Sequence, residues 1–389
     1  MILAKEAKKL YKDSFGKGDL RIFYSHGRLE LLGNHTDHQG GLCLVAGVDL
    51  GITAAVEANK DGAVRVVSEG YPAFQFYTDE LDLQKGEVGT TKAIFKGVMA
   101  KMKERGYKVG GFSAALKSDL PAGSGLSSSA AVEALACHIV DVLYNQGKMA
   151  PDEMAVISQF AERVYFGKPC GMLDQVGCCF GGVDYIDFNH AGAMYVKPIS
   201  YGLTLEPILI NTGSSHENLT DYYASIPADM FAVAKNLLGV DKLSDCTKEE
   251  FFKKVTVPCD GVSERAKLRA THYYQEIDRV AVAFKALETN DSSTFLNCVR
   301  GSQTSSQTLL GNTMVPGQYE HSPQQAVDIA NKVIGKGGAR IMGGGFAGSI
   351  ICFVYPTEKD AFIAEMAKYY GAEAVIPLKI VDGGPREIA

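Results

Sequence analysis

The first third of the chain carries apolar, β-rich runs broken by polar turns. RIFYSHGRLELLG (residues 21–33) and LCLVAGVDLGITAAVEA (42–58) read as two long strands on either side of a polar turn. AVRVVSEG, FQFYTDEL and FSAALKSDL (112–120) add three shorter strands. The period then becomes helical. SSAAVEALACHIVDVLYNQ, opening near Ser127, places alanine and leucine at helical spacing, and DEMAVISQFAERVYFG (152–167) is closed by a glycine. The N-terminal MILAKEAKKLYKDSFG is helix-periodic as well. Further on, GGVDYIDFN and PILINTG read as strands around a loop near residues 190–200, which marks a boundary between domains at 1–195 and 196–389. Helices follow at 266–288 and 322–336, then strands in ARIMGGGFAGSIICFVY and VIPLKIVDGG. Strands and helices mix in both halves without strict alternation, which predicts an α+β fold.

Composition narrows the partners. The 389 residues are 46% hydrophobic with a net charge of −6, and no block of like charge stands out. A nucleic acid or an anionic membrane has nothing to bind electrostatically. No apolar run approaches the ~20 residues needed to span a bilayer. The charged N-terminus does not read as a secretory leader, and nine scattered cysteines without a CxxC pair read as free thiols. The expectation is a cytoplasmic protein that binds small molecules, as a monomer or weak homodimer.

The clearest chemical signal is SDLPAGSGLSSSAAVEAL, residues 118–135. A strand runs into Pro121–Leu126, and three serines open a helix. Gly123 and Gly125 let backbone approach a ligand, and unpaired amides at a helix start attract phosphate. No lysine follows the glycines, so this is not a Walker A loop. A capped helix after a glycine turn would look similar but would need only one serine. The turn LLGNHTDHQGG (31–41) raises a metal reading, yet no other histidine lies in an HxH or HExxH pattern. Asp37 and His35 suit a hydroxyl-rich small molecule better, since a saccharide needs fixed partners for each buried hydroxyl. Gly343–Gly348 satisfies GxGxxG, but a strand pattern follows where a dinucleotide fold needs a helix.

PAGSGLSSSA (121–130) resembles the phosphate loop of the GHMP kinase superfamily. GRLELLGNHTDHQGG (27–41), AERVYFGKPCGMLDQ (161–175) and GGARIMGGGFAGSIICFV (337–354) are similar, in order, to the other signatures of galactokinase-like sugar kinases. The resemblance implies a two-domain fold: an N-terminal domain of the ribosomal protein S5 type and a ferredoxin-like C-terminal domain. It also implies ATP as co-substrate and Mg²⁺ as cofactor. By this resemblance Asp174 accepts the sugar's proton beside Arg28, and Ser129 and Glu162 hold the metal. Asn34, His35, Thr36, Asp37, Gly171 and Tyr223 line the sugar. Gly123, Ser124, Gly125, Leu126, Ser127, Ser128 and Ser129 cradle ATP, and Ser68 reaches it. Two departures stand out: the family usually has Glu at Asn34 and Tyr at His38. DHQGG is similar to the galacturonokinase branch, and a neutral amide that can donate would tolerate a sugar carboxylate. The stretch SSHENLTDYYASIPADM also lacks the basic residues usual after the tyrosine. A silent sugar sensor on the same fold is the rival reading; it should lack Arg28, Ser129, Glu162 and Asp174, all of which are present.

Overall fold

In the computed structural model, which describes residues 2–214 and 219–388, the two long β-rich runs form the spine of the larger sheet. Strands β1 (Arg21–Leu32) and β2 (Leu42–Ala58) pair antiparallel over nearly their whole length. The longer β2 serves two partners. Its Ile52–Ala58 half carries β5 (Phe112–Ser118), which runs parallel to β3 (Ala63–Ser68) and so links β4 (Tyr71–Tyr77) to the sheet. Its Leu42–Ala46 half carries β6 (Val183–His190) and then β7 (Ala193–Ile199).

Strand β7 corrects the sequence reading of a loop at residues 190–200, the stretch in which the boundary between 1–195 and 196–389 was expected. Residues 193–199 form a hairpin with β6, so a cut at 195/196 falls inside a strand. Gly192 (φ 85°) supplies the tight turn, and Met194 and Val196 pack on the core from alternate positions. The glycine and Pro198 masked that alternation in the sequence.

The passage to the second sheet comes after Ile199. There β8 (Glu206–Ser214), β9 (Gly338–Ile341), β10 (Gly348–Val354) and β11 (Val375–Pro377) form an antiparallel sheet in the order β11-β8-β10-β9. The chain then returns to the first sheet, where the short β12 (Arg386–Glu387) pairs with β1.

Helices cover these sheets. Helix α1 (Ile2–Phe15) packs on β5 and β2; α2 (Thr91–Glu104), α3 (Ser128–Tyr144), α4 (Pro151–Phe160) and α5 (Leu173–Phe180) share the main core. Helices α6 (Thr220–Ala232), α7 (Lys248–Lys254) and the 25-residue α8 (Glu264–Glu288) build a helical layer, with α9 (Ser292–Ser305) beside α8. Helices α10 (Pro323–Val333) and α11 (Lys359–Tyr370) cover the second sheet. Helix α4 continues into a π-helical turn over Ala161–Phe166, ended by Gly167 at φ 85°. Wide turns of this kind often sit at functional sites.

Candidate functional site

Four segments converge along the second half of β1. A register shift between His26 and Arg28 bulges β1 and re-aims the Arg28 side chain. Gly27 permits the approach this needs: a Cβ there would stand 2.7 Å from the Leu126 carbonyl oxygen. Arg28 is 4% exposed, and its Nη1 donates to the Gly125 carbonyl at 2.6 Å. Its Nε donates to Asp174 Oδ1 at 2.8 Å and its Nη2 reaches the same oxygen at 2.6 Å. One arginine therefore ties the glycine-serine loop to the carboxylate on the first turn of α5.

Ser127 makes the second tie. Its hydroxyl donates to Asp174 Oδ2 at 2.6 Å, so it does not cap α3. Ser127 adopts φ 57°, a left-handed conformation that costs a non-glycine residue energy and clusters at functional sites. The first amides of α3 keep no side-chain cap, as anion binding requires. Burial opposes a charge on Asp174, but Arg28, Lys168 and Ser127 together hold its carboxyl below the ordinary value. The group is an ionised acceptor at neutral pH.

Behind Ser127, Ser129 Oγ donates to Glu162 Oε1 at 2.9 Å. The structure buries Glu162 fully on the π-helical turn. Lys168 Nζ lies 3.2 Å from the same Oε1, and Gln175 Nε2 donates to Oε2 at 2.6 Å. Gln175 also donates to Glu133 at 3.0 Å, whose carboxyl burial and the Glu162 charge push well above its usual range. Sequence reading missed Lys168, Gln175 and Glu133. An acid inside the apolar run AAVEALA and a glutamine directly after Asp174 were the available signals.

Asp37 lies beside the start of α5. The His38 amide donates to its Oδ1 at 2.9 Å, and the Leu173 amide at the start of α5 helps hold its charge. Burial, and then the nearby Asp174 charge, raise its pKa to about 6. A Cβ on Gly171 would stand 1.5 Å from Asp37 Oδ2, so only glycine fits there. His35 Nε2 donates to the Gly344 carbonyl at 3.1 Å, and burial lowers the ring's pKa. A neutral ring beside a carbonyl must carry its proton on Nε2, which leaves Nδ1 as an acceptor.

Two residues expected to line a sugar are occupied elsewhere. Thr36 is fully buried, its hydroxyl 2.9 Å from the Gly33 carbonyl and 2.8 Å from that of Leu42. It closes the turn. Asn34 is 1% exposed; its amide donates to Glu30 at 3.0 Å and to the Gly343 carbonyl at 2.6 Å, and accepts from Asn312 at 2.9 Å. Arg340, fully buried, completes this seam with Glu30 at 2.7 Å. Side-chain direction, which residue type does not disclose, separates Thr36 and Asn34 from Asp37.

The second sheet supplies the remaining wall. Gly343–Gly348 connects β9 to β10 as an antiparallel hairpin, and Met342 lies against Gly125 of the phosphate-type loop. Tyr223 on α6 donates to the Gly345 carbonyl at 3.1 Å and packs edge-on against Phe346. A Cβ on Gly344 would stand 2.7 Å from the Tyr223 ring. Of the proposed loop residues, Ser128 is exposed, Ser124 and Leu126 are buried, and Gly123 and Gly125 have positive φ. Ser68 ends β3 opposite Leu116 of β5, and no described hydrogen bond joins it to the loop. Ser215–Asn218, part of the stretch noted for lacking basic residues, lie outside the described residues. No described helix is long and apolar enough to cross a membrane.

Residues 93–182 match the family model for the GHMP kinases N-terminal domain, and residues 9–58 that for the galactokinase galactose-binding signature. A galactokinase of Glaesserella parasuis is 30% identical over 355 residues, covering 90% of this chain and 88% of its own. One from Clostridium perfringens is 28% identical over 399 residues, covering 98% of each. The structure of Lactococcus lactis galactokinase complexed with galactose superposes with a TM-score of 0.87 at 25% identity, covering 100% of both chains. Methanococcus jannaschii mevalonate kinase, 17% identical with a TM-score of 0.64 over 96% of this chain and 100% of that one, shares the fold.

Proposed function

The chain belongs to the galactokinase family, and from that membership we propose that it transfers the γ-phosphoryl group of ATP to the anomeric hydroxyl of galactose. The observation that carries this reading is the pair of hydrogen bonds from Arg28 and Ser127 to Asp174, which set an ionised acceptor at the mouth of the glycine-serine loop. In the proposed reaction the sugar O1 proton passes to Asp174. The O1–P bond forms as the bond from Pγ to the β–γ bridging oxygen breaks, and ADP leaves. Arg28 keeps the base charged and offers a cation to the transferring group. The amides at the start of α3, with Gly123 to Ser129, cradle the phosphates.

Ser129 and Glu162 are the residues that would hold Mg²⁺. An oxygen-only pair with a fully buried carboxylate fits a hard cation that also keeps water and phosphate ligands. The bound ion would offset charge on the nucleotide phosphates. Asp37, His35 and the Gly171 backbone hold the sugar, with Tyr223 on the facing wall. Residues 1–195 and 196–389 remain the proposed halves around the cleft, with the strand β7 at their junction. A cytoplasmic location fits the free cysteines, and the chain is proposed to act as a monomer or weak dimer.

Galactose is favoured over galacturonate by the seam at Asn34. A sugar carboxylate would need a donor from that amide, and both of its donors are already engaged, one of them by the Glu30 carboxylate. The test is sugar-stimulated ADP release with galactose, galacturonate, arabinose and N-acetylgalactosamine. Galactose should give the highest kcat/KM, by at least about tenfold over galacturonate, as expected where a carboxylate finds no partner. Preferred turnover of galacturonate would contradict the substrate assignment, and sugar binding without any turnover would favour the sensor.

A further inference from the structure

Lys168 is the cation of this cleft to which the reading above gives no task. It follows Gly167, the residue that ends the π-helical turn, and its backbone amide donates to the Glu162 carbonyl of that turn at 3.1 Å. Its ammonium lies 3.2 Å from Glu162 Oε1, the oxygen that also accepts from Ser129. Its charge is felt at Asp174 and at Tyr223.

The two cations of the gap are held differently. The Arg28 side chain is 5% exposed and fixed on the Gly125 carbonyl and Asp174. The Lys168 side chain is 54% exposed and tied at one carboxylate oxygen. A flexible stem with three donors can turn; an arginine locked at both ends cannot. Phosphoryl transfer needs positive charge around the moving group, and Arg28 covers only the side facing Asp174.

We propose that Lys168 is a further catalytic residue, whose ammonium leaves Glu162 when the metal–nucleotide complex binds and contacts the phosphate oxygens from the side opposite Arg28. This rests on the proposed kinase reaction and on the Ser129–Glu162 metal site. Two cations cannot share Glu162 Oε1 at contact distance without strong repulsion, and the incoming phosphates are the anions the stem can then reach. A plain counter-ion for the buried Glu162 is the rival role.

The test compares the parent enzyme with Lys168→Met and Lys168→Arg. Steady-state kinetics with galactose across a Mg²⁺ titration is joined by calorimetric binding of the non-hydrolysable analogue AMP-PNP, with and without Mg²⁺, and by melting curves. Lys168→Met should lower kcat roughly 10²-fold even at saturating Mg²⁺, in line with removal of one preorganised charge donor. The galactose KM should stay within about twofold, AMP-PNP should bind about tenfold more weakly with Mg²⁺, and Lys168→Arg should recover much of both losses. Lys168→Met with parental kcat at saturating Mg²⁺ and parental AMP-PNP binding would overturn the proposal and leave the counter-ion role, whatever its melting temperature. Should the parent show no sugar-stimulated turnover, the kinase reading fails, and the AMP-PNP comparison still decides for or against the contact of Lys168 with phosphate.

Discussion

Asp174→Asn should reduce kcat for galactose phosphorylation by roughly 10³-fold, the scale expected when a positioned general base is removed. The amide oxygen can still accept from Ser127 or Arg28, so the loop and α5 should remain together. The galactose KM should change by no more than about threefold, because Asp37, His35 and Gly171 are untouched. Arg28 loses its counter-charge in a site where it is 4% exposed, so a stability loss of about 3 kcal/mol should accompany the change. Melting curves separate that loss from the kinetic one. Turnover within tenfold of the parent would refute the role of Asp174 as proton acceptor.

Gly171→Ala should have its largest effect on the sugar, not on the nucleotide. The added Cβ would sit 1.5 Å from Asp37 Oδ2 and 2.3 Å from its Cγ, far inside contact distance. Relief requires Asp37 to leave its place or the 171–173 turn to move away from it. Gly171 does not have a left-handed φ, so this collision, and not backbone strain, drives the effect. Displacing a charged acceptor from two sugar hydroxyls removes interactions worth about 3 kcal/mol, so the galactose KM should rise at least about 100-fold. AMP-PNP binding, measured by calorimetry, should stay within about threefold, since Gly123–Ser129 lies on another segment. An unchanged galactose KM would mean that Asp37 does not hold the sugar.

Much of this architecture is legible along the chain. Residues 42–58 form a near-continuous β-rich apolar run that predicts a strand, and the structure reproduces it as Leu42–Ala58. Glycines mark places where chain segments touch: Gly27 against Leu126, Gly171 against Asp37, Gly344 against Tyr223. The four kinase-like segments announce the family because their chemistry is local, a few residues long each.

What stays hidden is long-range or directional. Glu162, Gln175 and Glu133 form one buried chain of hydrogen bonds, yet Gln175 is 42 positions from Glu133. Periodicity carries no information about such a meeting. Asn34 and Thr36 sit in a polar turn that looks built for a ligand, but their side chains turn inward to Glu30, Gly343 and the carbonyls of Gly33 and Leu42. The same sequence neighbourhood sends Asp37 toward Gly171. Strand β7 was obscured for a different reason: turn-forming residues broke a short run whose packing comes from the β6 partner.

The central claim is that one monosaccharide spans Asp37 and Asp174 while the nucleotide occupies the Gly123–Ser129 loop. A crystal structure of the protein with galactose, AMP-PNP and Mg²⁺ tests it most directly. The account predicts O1 of galactose within hydrogen-bond distance of an Asp174 carboxylate oxygen and pointing at the γ-phosphorus. The metal should lie on Ser129 and Glu162. Galactose bound with O1 turned away from Asp174, or triphosphate bound away from the start of α3, would contradict it.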